Sequence, residues 1–171
     1  AGTVTGTNNT EGPNIACILA FEVKKGEEVI IKTGISAVDE AGAAGNLAAE
    51  VPGWDFSDAV AKAQQEWQKR LSVIRAESSD SALLRVFYTA LYHTMIAPNL
   101  YTDSDVRYRG TDREVHNAEG FTNYTVFSLW DTYRAAHPLF TVTVPELVPD
   151  FVNTMLAIRD QQGKLPVWSL A

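Results

Sequence analysis

Residues 56–71 read Phe56-Ser57-Asp58-Ala59-Val60-Ala61-Lys62-Ala63-Gln64-Gln65-Glu66-Trp67-Gln68-Lys69-Arg70-Leu71, and this stretch decides the fold class. Phe56, Val60, Ala63, Trp67, Leu71 and, just beyond, Ile74 recur at steps of three or four residues, the period of one helix face. Asp58, Lys62, Gln65, Lys69 and Arg70 lie on the other side. The pattern predicts an amphipathic helix set off from what precedes it by Pro52-Gly53. Its stripe places Trp67 in a core, with an aromatic sugar platform as the alternative.

Upstream the period is different. Residues 15–23 and 28–37 are two β-rich runs joined by Lys24-Lys25-Gly26-Glu27, which predicts a hairpin. The first 14 residues, rich in Gly, Thr and Asn, read as a loop or a frayed strand. Residues 39–50 are Ala-rich and read as helix, although Gly42 and Gly45 each cost roughly 1 kcal/mol relative to Ala. The Gly42-x-x-Gly45 spacing lacks the rest of a nucleotide-binding fingerprint.

Downstream, Ser79-Asp80-Ser81 offers an N-cap for a helix over about 82–96. Leu83, Leu84, Val86, Phe87, Ala90, Leu91 and Met95 cover more than one side of it, as on a helix packed between neighbours. His93 in this helix reads as a core histidine. Residues 97–128 read as irregular or short-stranded, and a helix then runs from near Ser128 to about Phe140. Pro145 and Pro149 precede a last helix with Phe151, Val152, Met155 and Ile158 on its stripe. Gly163 ends it and Pro166 prevents continuation. The prediction is an α+β chain: a β-hairpin remnant, then a helical array.

Composition limits the function. The chain has 171 residues and a net charge of -7, which argues against nucleic acid, since phosphate neutralisation needs a basic face. No apolar run is long enough to span a membrane. Cys17 is the single cysteine, so no internal disulfide forms, and its apolar neighbours suggest a buried thiol. Asn8-Asn9-Thr10 and Asn123-Tyr124-Thr125 fit the short glycosylation pattern.

All six tyrosines fall between positions 88 and 133, among Asp103, Asp105, Arg107, Arg109, Asp112, Glu114, His116, Asn117, Trp130, Asp131, Arg134 and His137. Aromatic faces beside dense donors and acceptors suit a carbohydrate. An aromatic helix interface with a solvated loop fits equally. Asp103-Ser104-Asp105 with Glu114 resembles a calcium loop in outline. It fails inside, where Arg107 stands at a ligand position and Tyr108 where the turn needs Gly. The same carboxylates are general acid/base candidates, although spacing alone cannot set the separation that glycoside hydrolysis requires. Ser128-Leu129-Trp130-Asp131-Thr132 can bring an indole face and a carboxylate to one cavity mouth. The structural alternative makes Asp131 a first-turn acid or N-cap and Trp130 packing. The three histidines, at 93, 116 and 137, form no His-x-x-x-His pair, so a histidine metal site is not expected.

Phe127-Ser128-Leu129-Trp130-Asp131-Thr132-Tyr133-Arg134 with His137-Pro138-Leu139 resembles the FSLWDT-(F/Y)-R-x-x-HPL signature of glycoside hydrolase family 92, the exo-acting bacterial α-mannosidases. Phe87-Tyr88-Thr89-Ala90-Leu91-Tyr92-His93, Lys32-Thr33-Gly34-Ile35-Ser36 with Asn46-Leu47 and Glu50, Tyr108-Arg109-Gly110-x-Asp112, and Gly163-x-Leu165-Pro166-x-Trp168 resemble further family stretches, in order over residues 15–171. Val106 departs from the family, which usually has Gly there. The resemblance implies an N-terminal β-sandwich and a C-terminal (α/α)6 barrel. On that basis residues 1–38 end the sandwich, 39–55 form a linker helix region and 56–171 begin the barrel.

The resemblance also implies inverting hydrolysis of terminal α-mannose on a glycan, with calcium gripping and distorting the sugar, in a secreted, periplasmic or cell-surface enzyme. Trp130 and Asp131 match sugar-binding residues of the -1 pocket. No residue here matches the family's general acid, general base or main calcium-ligand motifs, so no catalytic or metal residue is assigned in this segment. Those motifs are expected further on, with the remainder of the barrel, and the segment alone is expected to be inactive. The competing expectation is a non-catalytic carbohydrate-binding or structural helical module.

Overall fold

The computed structural model describes Ala16 and residues 18–169. The Cys17 thiol, the Asn8 sequon and the loop expected before residue 15 lie outside the described residues. Two units divide the chain, the first ending at Ile31 and the second beginning at Lys32.

In the first unit the expected turn is present. The Glu27 amide donates to the Lys24 carbonyl at 3.0 Å, and Gly26 adopts φ 88, a left-handed conformation open to glycine. The expected strands on either side are not. Among the described residues neither 18–23 nor 28–37, a run that continues into the second unit, forms a strand pair, and Ile18, Leu19, Ile31 and Ile35 are exposed. The physical reason is general: a two-stranded hairpin without a third strand or a covering layer is marginal in water.

The second unit opens with three capped helices. Helix α1 (Glu40–Glu50) is N-capped by Asp39, whose carboxylate accepts from the Gly42 amide at 2.7 Å. At its C-terminal end the Lys32 ammonium donates to the carbonyls of Val51 (2.7 Å) and Gly53 (3.1 Å) and lies 4.3 Å from the Trp54 ring centroid. Helix α2 (Phe56–Leu71) is capped by Asp55 and α3 (Ser81–Thr94) by Asp80, each carboxylate accepting from two first-turn amides. All three starts fall where the sequence places them.

The burial of α2 and α3 differs from expectation. No residue of α2 is buried, and α3 buries only Leu91. Trp67 is 38% exposed and meets the Tyr92 ring in a tilted contact at 4.6 Å, so it is an inter-helix contact and not a core residue. His93 is exposed beside Tyr92, at 5.6 Å, and is no core histidine. The apolar faces are as the periodicity predicts, but nothing among the described residues covers them.

Residues 97–128 hold short antiparallel pairs. Strand β1 (Asn99–Leu100) pairs with β4 (Tyr124–Thr125), and β2 (Arg107–Arg109) with β3 (Val115–Asn117). Strand β5 (Phe127–Ser128) pairs with β6 (Trp168–Ser169). The helix expected from Ser128 to Phe140 is two helices, α4 (Leu129–Thr132) and α5 (Ala136–Thr143). Pro138 separates them: it has no N–H for the Arg134 carbonyl and its ring would strike that group. In the first turn of α5 the missing N–H is harmless, and Leu139 makes the first bond, to the Ala135 carbonyl at 2.9 Å.

Helix α6 (Val148–Gln162) has Pro149 in its first turn and ends at Gly163, φ 80, as the sequence predicts. Its buried stripe is Phe151, Thr154 and Ile158, while Val152 points to solvent. Phe127, Phe140, Val144, Phe151 and Ile158 form the core of this unit. Phe151 meets Phe127, Phe140 and Tyr124 edge to face at 6.2, 5.6 and 4.9 Å. Thr154, fully buried, accepts from the Tyr124 amide at 3.2 Å and donates to the Asp150 carbonyl at 2.8 Å, tying α6 to β4.

Candidate functional site

Phe127 is the anchor of the candidate site. Its ring is locked in the core, so the next residues along the chain emerge at the surface at a fixed place. Ser128 ends β5, and Leu129-Trp130-Asp131-Thr132 form the single turn of α4. From the other side, the segment after Gly163 returns as β6, with Ser128 opposite Trp168 and the Leu129 amide donating to the Val167 carbonyl at 3.0 Å. Leu129, Trp130, Asp131, Tyr133, Arg134, Pro166 and Val167 line an open groove of about 590 Å3.

Trp130 is 70% exposed and Trp168 67% exposed, so both indoles present faces to solvent. The Trp168 Nε1–H donates to Ser128 Oγ at 2.6 Å, and the Ser128 hydroxyl donates to Asp131 Oδ2 at 2.6 Å. The Arg134 guanidinium donates to the Tyr133 hydroxyl at 2.7 Å and lies 5.4 Å from that ring's centroid. An aromatic face, a carboxylate and a guanidinium therefore share one groove, the set of groups that can stack on a sugar ring and hydrogen-bond its hydroxyls. The structure brings the sequence-predicted pair Trp130 and Asp131 together on this wall. Ser128 and Trp168 are additions that no local spacing indicates, although both lie in stretches that carry the family resemblance.

The other candidate carboxylates are engaged elsewhere. Asp103 is buried, with Oδ2 accepting from Ser36 Oγ at 2.5 Å and Oδ1 from Asn46 Nδ2 at 2.7 Å. A Cβ on Gly42 would come within 2.7 Å of Ser36 Oγ and would collide with this Asp103 carboxylate, which explains a glycine inside α1. Asp105 and Asp39 both pair with Arg107, at 2.7 and 2.8 Å, and hydrogen bonds from that guanidinium hold both carboxyls below their ordinary pKa. Asp112 accepts from the Glu114 amide at 3.0 Å, which lowers its pKa with help from His116 at 2.9 Å. These groups organise loops and are not gathered at one scissile bond.

Asn123 of the second sequon is buried, so the folded chain offers no side chain there for a glycan, and its backbone N–H donates to Thr102 Oγ1 at 2.6 Å. Among the described residues no three His, Cys, Asp or Glu side chains converge on a point that a metal ion would occupy.

Comparison with known proteins places this geometry in a family. The glycosyl hydrolase family 92 catalytic domain matches residues 42–171. The structure resembles a family 92 α-mannosidase of Bacteroides thetaiotaomicron, at 43% identity and a TM-score of 0.75, covering 79% of this chain and 18% of that one. The same enzyme in complex with mannoimidazole matches at 42% identity and a TM-score of 0.73, over 79% of this chain and 18% of that one. An inverting family 92 mannosidase of the same organism matches at 31% identity and a TM-score of 0.73, over 78% and 18%. A protein described as an uncharacterized secreted glycosidase of Arthroderma benhamiae is 33% identical over 78 residues, 43% of this chain and 10% of that protein. The chain belongs to glycosyl hydrolase family 92. It spans less than a fifth of the length of these relatives.

Proposed function

We propose that this chain is a segment of an inverting, exo-acting α-mannosidase that removes terminal α-mannose from glycans, and that Trp130 and Asp131 bind the sugar in the -1 pocket. The observation that carries the reading is the shared groove wall, where an exposed indole and a carboxylate lie side by side on the turn that follows the buried Phe127. In this reading Trp130 packs against the C–H face of the mannose ring, and Asp131 accepts hydrogen bonds from its hydroxyls. The groove differs from a buried structural site in that its polar groups remain open to a ligand.

The sandwich-to-barrel organisation belongs to the same proposal, with residues 1–38 closing the first domain and 56–171 opening the second. The acid and base that flank the scissile bond come from sequence outside this stretch. A calcium ion, held mostly by residues outside this segment, would grip and distort the sugar. The secreted relative supports export of the full enzyme.

The test is Asp131→Ala in the full-length enzyme. Loss of a hydrogen bond between an ionised carboxylate and a hydroxyl is worth about 1.5–3 kcal/mol, so kcat/KM on an aryl α-mannoside is expected to fall about 10- to 100-fold. The melting temperature should stay at the wild-type value. Wild-type kinetics in this variant would overturn the assignment.

A further inference from the structure

We infer that Ser128 is a positioning residue for Asp131, set in turn by the Trp168 indole, and that this relay decides which carboxylate oxygen faces the sugar. The inference rests on the reading above that Asp131 grips the ligand. Its basis is the direction of two hydrogen bonds. The indole N–H can only donate and an ionised carboxylate can only accept. Between them, Ser128 Oγ must accept from Trp168 at 2.6 Å and give its single proton to Asp131 Oδ2 at 2.6 Å. No other arrangement of the hydroxyl satisfies both contacts.

Three further observations separate this from ordinary helix capping. Ser128 occupies the N-cap of α4, yet its side chain bonds no backbone amide of that helix, the usual use of a serine there. Its hydroxyl is directed instead to a carboxylate, where a charge-assisted bond is stronger. Second, among the described residues Ser128 is the only side-chain donor to Asp131, which sits exposed on a single helical turn with no packing to fix its rotamer. Third, Trp168 is itself held in register by the pairing of Ser128 with Trp168 and by the bond from the Leu129 amide to Val167. The relay therefore runs from a backbone-fixed strand to a free carboxylate. With Oδ2 engaged, Oδ1 is left to accept from a ligand hydroxyl in a fixed direction.

The experiment is a double-mutant cycle in the full-length enzyme, with kcat and KM on an aryl α-mannoside, mannoimidazole affinity and melting temperature as readouts. Ser128→Ala is expected to lower kcat/KM and mannoimidazole affinity about tenfold at unchanged melting temperature. On an Asp131→Ala background the same substitution should have no further effect, because the group it orients is gone. Ser128→Thr, which keeps the hydroxyl, should restore most of the loss. Trp168→Phe keeps a ring and removes the donor, and its loss should likewise vanish once Ser128 is Ala.

Equal losses from Ser128→Ala with and without Asp131 would overturn the relay, as would wild-type behaviour of Ser128→Ala. Failure of Ser128→Thr to rescue would also count against it. If Asp131→Ala alone leaves kinetics unchanged, the sugar-binding reading fails first, and the two failures are told apart by that single variant.

Discussion

At the scale of single residues, Val106, like Val126, departs from what the chain would prefer. It adopts φ 65, in the left-handed region that a β-branched side chain enters at a cost of about 1–3 kcal/mol. Its amide donates to the Asp103 carbonyl at 2.9 Å and its carbonyl accepts from the Ala118 amide at 2.9 Å, so the turn is held from both sides. Val106→Gly should therefore raise stability by about 1 kcal/mol after the extra freedom of the unfolded glycine is counted, read as a higher denaturant midpoint. The family resemblance, which sets a glycine here, points to the same position from sequence alone. His137 is another instance. Its ring lies 5.5 Å from Phe140 and 6.5 Å from Phe127, with neither nitrogen hydrogen-bonded among the described residues, and burial pushes its pKa below 6.5. The unfolded chain takes up a proton near that value and the folded chain resists it. Stability is then full above about pH 6.5 and falls as pH drops through and below it, ahead of the loss expected near the carboxylate range from Asp39, Asp105 and Asp112. His137→Leu should flatten the first step of a denaturant-midpoint profile and leave the second.

Elements were legible where their signal is local. The start of α3 and the end of α6 follow from Asp80 and Gly163, residues whose capping chemistry acts within one turn, and the start of α2 from the apolar period that begins at Phe56. The hairpin around Gly26 failed because alternation records which faces are apolar, not whether a layer exists to cover them. The break between α4 and α5 follows from Pro138, a signal present in the sequence. Short pairs such as β5 with β6 carry no local signature at all. That Trp130 and Asp131 lie side by side is legible from the motif that holds them, while the approach of Trp168 to Ser128 is not. Arg109 shows how such elements are joined. Its guanidinium donates to the carbonyls of Ala37 (2.6 Å), Val38 (2.9 Å) and Arg113 (2.8 Å), fastening the segment before α1 to the β2–β3 pair. An ammonium cannot reach three carbonyls in one plane, so Arg109→Lys should cost about 1–2 kcal/mol in equilibrium unfolding. The Val38 and Asp39 amides, which donate to Ser36 Oγ at 2.9 and 3.3 Å, should lose hydrogen-exchange protection with it.

At the scale of the whole molecule, the uncovered apolar faces dominate. Phe56, Val60 and Trp67 on α2 and Leu83, Val86 and Tyr92 on α3 are exposed in a contiguous family of helices. Patches of this kind mark interfaces or aggregation sites. The 171 residues in isolation should self-associate, seen as a light-scattering mass above one chain, and should release no mannose from an α-mannoside. A monodisperse, catalytically active monomer would count against the proposed parent enzyme. The pairing of Ser128 with Trp168 also has a consequence in time. The two residues are separated by 40 positions, and at about 5–20 residues per second the ribosome needs about two to eight seconds to deliver the second after the first. Throughout that interval Phe127 and the Trp130 turn exist without the strand that completes them. The candidate sugar site is thus assembled late in the making of this segment, and its exposed precursor is the form that chaperones would meet.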